Sequence, residues 1–149
     1  MSHWFRVQFG DVQNGWMPVE LVAGREYLAF SASSVPSNSV HDLAGALIVL
    51  LGSDCEVAVV WSTEPAEYEF QFSSSSVLAK LEVIEFADSR RVRDQRRIVF
   101  TVEGSRREMV LVFWRSLRRL QSCPDFEHHW GAPFPHRDIE LLGERLGGA

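Results

Sequence analysis

Five arginines crowd one short stretch, Arg90-Arg91-Val92-Arg93-Asp94-Gln95-Arg96-Arg97. A guanidinium presents a rigid fork of donors that matches a carboxylate or a phosphate. Arg90, Arg91, Arg93, Arg96 and Arg97 are therefore candidates to hold an anion or an acidic partner. The same run also suits a solvated loop whose charges meet the protein's own acids. A second cluster lies near the C-terminus, where Cys123, His128, His129 and His136 share a segment with Trp130. A thiol beside an imidazole can act as nucleophile and base. A cleft carrying Cys123, His128, His129 and Trp130 is thus where a small-ligand site or a hydrolase-like reaction would lie.

Other chemistries find less support. Metal binding needs three or four ligands at structured spacing. Adjacent His128 and His129 point apart in extended backbone, and no C-x-x-C or H-E-x-x-H occurs, so no metal or cofactor is expected. Glu67, Glu69 and Glu82 project from strand faces as paired carboxylates can, but an open face offers no desolvation to split their pKa values. Gly10, Gly15, Gly24 and Gly52 are isolated, with no dinucleotide or Walker pattern and no G-x-S-x-G. A non-enzymatic, protein-binding role is the expectation.

The composition agrees. With 149 residues, 46% hydrophobic and 23% charged, the chain reads as one globular domain over residues 1–149. Two cysteines exclude a disulfide framework. No apolar run reaches the roughly 18 residues of a membrane span. Met1-Ser2-His3-Trp4-Phe5-Arg6 lacks the pattern of a signal peptide, so a cytoplasmic setting is expected. Charge is uneven: residues 90–119 hold ten Arg against Asp94, Glu103 and Glu108, whereas residues 1–89 hold twelve acids against Arg6, Arg25 and Lys80. A pI near 5.5 argues against nucleic acid. It leaves another protein, met by charge complementarity, as the expected partner, with self-association through a sheet edge or an aromatic patch as a further expectation. The five Trp either ring the core or line a groove or interface.

Period-2 alternation marks seven strands: Phe5–Phe9, Met17–Leu21, Leu28–Ala32, Cys55–Trp61, Tyr68–Phe72, Val77–Val83 and Ile98–Val102. Ser73-Ser74-Ser75-Ser76 suggests a turn that pairs residue 72 with 77, 70 with 79 and 68 with 81. That register sets Glu69 opposite Lys80 and Glu67 opposite Glu82. A helix with Ser39-Val40-His41-Asp42 as its capping box runs to Gly52. A second starts at Ser105, with Glu108 completing S-x-x-E, and carries Met109, Val112, Phe113, Leu117 and Leu120 on one stripe. From Cys123-Pro124 the chain turns irregular; residues 123–149 form a tail lying on the body through Phe126, Trp130 and Phe134. A short helix from Asp138 to Arg145 precedes a fraying Gly147-Gly148-Ala149. The expected class is α+β: three strands, helix, four strands, helix and tail, with a single antiparallel sheet and both helices on its apolar face.

Phe9-Gly10-x-x-x-x-Gly15-Trp16, Trp61-Ser62-Thr63-Glu64-Pro65 and Phe113-Trp114-Arg115-Ser116-Leu117-Arg118-Arg119-Leu120 resemble segments of small uncharacterised bacterial α+β proteins, some of them labelled immunity-type. These motifs are structural. The resemblance implies a bacterial origin and a non-enzymatic role of binding a partner toxin, and it transfers no site residue.

Overall fold

Alternating side chains decide the architecture in the computed structural model, which describes residues 4–147. The expectations for residues 1–3 and 148–149 lie outside the described residues. The strands are β1 (Arg6–Phe9), β2 (Trp16–Ala23), β3 (Glu26–Ser33), β4 (Cys55–Ser62), β5 (Glu67–Ser75), β6 (Leu78–Phe86) and β7 (Arg97–Ser105). They form one seven-stranded sheet with neighbours in sequence order, every pair antiparallel. Helix α1 (Ser39–Gly52) joins β3 to β4, and α2 (Arg106–Gln121), α3 (Phe126–Trp130) and α4 (His136–Arg145) follow β7. The class is α+β.

Met17, Val19 and Leu21 from β2, Phe70 and Phe72 from β5, and Leu81 and Val83 from β6 all point inward and are buried. β3 and β4 share one ladder pair, Ser33 with Ser62. Beyond it the β1–β3 leaf leans over the apolar face of β4–β7. Phe30 stacks on Tyr68 at 4.4 Å, Phe5 meets Phe100 at 6.1 Å, and the Glu26 carboxylate accepts the Thr101 backbone N–H at 3.0 Å. Phe113 of α2 enters the space left between them, 5.5 Å from both Phe5 and Phe72.

Trp61 sits fully buried among Phe9, Phe30 and Phe70. Its indole Nε1 is buried without a hydrogen-bond partner among the described residues. An unmade buried hydrogen bond costs about 1–3 kcal/mol, which offsets the packing lost on shrinking the ring. Trp61→Phe is therefore expected to change stability by less than about 1 kcal/mol, against about 3–5 kcal/mol for Trp61→Ala. Urea denaturation checks this, and a Phe variant as damaged as the Ala variant would refute it.

Three expectations need correction. The β5–β6 hairpin turns on two residues, Ser76 and Val77, because Ser75 pairs with Leu78. Ser76 takes a left-handed φ of 57° and donates its N–H to Asp54 at 3.0 Å. Two-residue turns of this kind match the right-handed strand twist, so three of the four serines belong to β5. Phe72 accordingly faces Leu81 and Phe70 faces Val83, while Glu69 meets Ile84 and Glu67 meets Phe86. The offset is even, so the same side chains still point inward, but Val77 lies exposed at the turn. The cap of α1 is Asn38, whose side chain accepts the His41 N–H. Ser39 Oγ instead donates to the Val60 carbonyl. The tail contains the five-residue helix α3 between Pro124 and Gly131, whose φ of 87° ends it.

Candidate functional site

The side of β4–β7 turned away from the core is built in rows set by the ladder. Glu56, Ser73, Lys80 and Glu103 form one row, and Ala58, Gln71, Glu82 and Thr101 the next. A third row holds Val60, Glu69, Ile84 and Ile98, and a fourth holds Ser62, Glu67 and Phe86. Strand alternation forces this segregation, since all of these residues but Phe86 are next in sequence to one packed in or against the core.

The rows differ in what lies on them. Rows three and four are covered by the loop after β6. Arg91, at a left-handed φ of 56°, places its guanidinium 4.7 Å over the Phe86 ring. It donates to Glu67 at 2.9 Å and also to Glu69. Glu69 is 9% exposed. Burial pushes its carboxyl up, but hydrogen bonds from Gln71 and Arg91 and the charges of Arg91 and Arg96 outweigh that and hold it below the usual range. Rows one and two stay open. Glu56 and Glu103 are exposed, Glu82 and Gln71 half-buried, and Lys80 offsets part of the charge at 3.4 Å from Glu82. A shallow cavity of about 380 Å³ lies here between Glu56, Gln71, Ser73, Lys80 and Glu82.

The arginine run is divided among several tasks. Arg90 pairs with Asp88 at 2.8 Å, Arg91 with Glu67 and Glu69, and Arg97 with Glu85 at 2.6 Å. Arg93 lies in a single 3-10 turn (Arg93–Gln95), and neither it nor Arg96 makes an ion pair among the described residues. The five do not converge on one point.

Cys123 and His129 do share a cleft. It has about 500 Å³ between the β1–β2 loop and the start of the tail, with Phe9, Leu120 and Phe126 as its floor and Asp11 and Asp125 also in its lining. Trp130 is fully buried and turned inward, and His128 is exposed outside the lining. Successive residues of α3 are rotated about 100° apart, which turns Trp130 away from the histidines; the His128 and His129 rings do not point apart as an extended backbone would have them but meet edge-on at 5.3 Å. Cys123 lies with its Sγ 3.5 Å from the Arg119 carbonyl. No group of three metal-ligating side chains occurs among the described residues. No helix among the described residues is long and apolar enough to cross a membrane.

The sequence singles out Glu67, Glu69 and Glu82, with Lys80 opposite Glu69, but it does not mark Glu56, Gln71 and Glu103 as members of the same face. The alternation in β4 and β7 carried the signal for side, and only the register supplied the rows. No protein-family model, curated protein or solved structure matches the chain.

Proposed function

We propose that this protein works by binding another protein, and that it does so through the open carboxylate face of β4–β7. The observation that carries the proposal is the arrangement of Glu56, Glu82 and Glu103 around a single Lys80 on a rigid four-stranded platform. Such a face meets a basic partner with its charges already ordered, which raises association rate and selectivity. An immunity-type role, the neutralising of a basic toxin in the bacterial cytoplasm, fits this reading. The two free thiols, Cys55 and Cys123, suit a reducing compartment.

The test uses the full chain as bait in an extract of its own host. A basic protein is expected to be retained in stoichiometric amount. Glu82→Lys and Glu103→Lys are expected to weaken that complex more than about tenfold each, because like charges then face each other. Arg137→Gln, exposed on α4, which packs on α1 and α2 rather than on this face, is expected to leave it unchanged. Retention of nothing, of an acidic protein, or of a partner indifferent to both reversals overturns the proposal.

A further inference from the structure

Four arginines, Arg90, Arg91, Arg97 and Arg106, are paired with carboxylates. Among those that are not, three lie together. Arg6 on β1 and Arg115 and Arg119 on α2 line one groove of about 350 Å³ where the edge of β1 meets the helix. None of the three makes an ion pair among the described residues. Arg115 and Arg119 are four apart on α2, a like-charge spacing that costs the helix a few tenths of a kcal/mol. The one carboxylate in the lining, Glu20, accepts a hydrogen bond from the Tyr27 hydroxyl at 2.9 Å instead. Ser116, between the two helix arginines, donates to the Val7 carbonyl at 2.6 Å in a buried contact. That bond fixes the spacing between strand and helix, so the groove is held open with its cations in place.

The groove does not end there. Arg119 also lines the cleft of about 500 Å³ that contains Cys123 and His129. The two cavities share Arg119 in their linings. One end is therefore cationic and the other has an apolar floor of Phe9, Leu120 and Phe126 with polar groups on its rim. Pockets of this size and mixture bury small molecules.

We propose that this groove binds a small organic phosphate, with the phosphate held by Arg6, Arg115 and Arg119 and a flat body lying over Phe9, Leu120 and Phe126. The guanidinium forks match phosphate oxygens, and the apolar floor, with Asp11 and Asp125 also in the lining, suits a planar ring of the size of a nucleobase. The site is separate from the open carboxylate face and stands or falls independently of it.

Calorimetric titration of the full chain with adenosine 5′-monophosphate, adenosine and inorganic phosphate tests the proposal. The monophosphate is expected to bind more tightly than either fragment, because only it engages both cavities. Arg115→Gln and Arg119→Gln are each expected to weaken it about tenfold or more, the range for a lost charge-assisted hydrogen bond. Both positions are solvent-exposed, and circular dichroism shows that the variants are folded. Arg93→Gln is expected to have no effect. The proposal fails if the monophosphate binds no better than inorganic phosphate, if Arg93→Gln weakens it equally, or if nothing binds. It also fails if random single-stranded RNA binds through the same arginines more tightly than the monophosphate, since the groove would then serve a polymer.

Discussion

Replacing Trp130 with alanine is expected to destabilise the protein by about 3–5 kcal/mol, the range for emptying a fully buried aromatic site. Trp130 has no solvent exposure and lies 6.1 Å from the Phe126 ring, which meets Phe134 edge-on at 5.4 Å. Its effect extends past packing because the indole Nε1–H donates to Asn38 Oδ1 at 3.0 Å. The same oxygen accepts the His41 N–H at the start of α1, and Asn38 Nδ2 donates to the Pro133 carbonyl at 2.8 Å. One residue earlier, the His129 carbonyl accepts the Gly15 N–H at 2.7 Å, and the Gly15 carbonyl accepts the Ser34 N–H at 2.9 Å. Gly15 can serve because its φ of 79° suits a residue without Cβ. Thus α3 ties together the β1–β2 loop, the start of α1 and the tail. Trp130→Phe keeps a smaller aromatic ring and loses the hydrogen bond, so it is expected to cost about 1–2 kcal/mol. Asn38→Ala removes the helix cap as well, at about 1 kcal/mol more. A double-mutant cycle between the two is expected to show coupling of at least about 0.5 kcal/mol. Urea denaturation supplies the numbers, and hydrogen exchange over residues 126–134 locates the loss. A Trp130→Ala variant within about 1 kcal/mol of the parent would show that the tail does not bear on the stability of the body.

What could be read from sequence follows from the range of the interaction concerned. Strand sides were legible because alternation is local, and so was the start of α2, where Ser105 Oγ accepts the Glu108 N–H at 3.2 Å. The cap of α1 was misplaced by one residue because Asn38 and Ser39 are both good caps, and only the distant Val60 carbonyl decides which is free. The four serines looked like one turn because a β5 ending in Ser73, Ser74 and Ser75 has no apolar marker of its own. For the candidate site the division is sharper. Glu67, Glu69 and Glu82 were assigned to a strand surface, but the loop arginine that settles on two of them comes from more than twenty residues away. The even shift of the hairpin also moved Lys80 from Glu69 to Ser73. That separated the open rows from the covered ones in a way no local pattern foretold. Cys123 and His129 line one cleft. His128 and Trp130 were grouped with them only because an irregular backbone was assumed where α3 forms.

Removing the Arg91 clamp is expected to produce the second large effect, and one whose size depends on pH. Glu69 is nearly inaccessible, so Arg91→Met leaves its carboxylate with Gln71 and the more distant Arg96 alone. An unpaired charge in such a place costs about 1–3 kcal/mol, and the loss of the Phe86 contact adds to it. The relaxation of Arg91 from its left-handed φ is refunded only if the loop moves, so the net expectation at pH 7 is a loss of about 2 kcal/mol. The sign with pH follows from the direction of the shift. In the parent the Glu69 carboxyl is held below its ordinary value, so it stabilises the fold above the unfolded pKa, about 4.3, and that contribution disappears as pH falls through the folded value. In the variant the raising influence of burial is no longer outweighed by Arg91, so the carboxyl titrates higher. Protonation then relieves the variant where it harms the parent. The stability gap between the two is expected to be widest near pH 7 and to narrow steadily below about pH 4. Glu69→Gln in the Arg91→Met background should recover part of the loss at pH 7, since it removes the stranded charge. Urea denaturation of the parent and both variants from pH 7 to pH 3 measures all three curves. A gap that stays constant with pH would mean that Arg91 holds the loop by packing on Phe86 alone, and that its charge contributes nothing to the shape of the open face beside it.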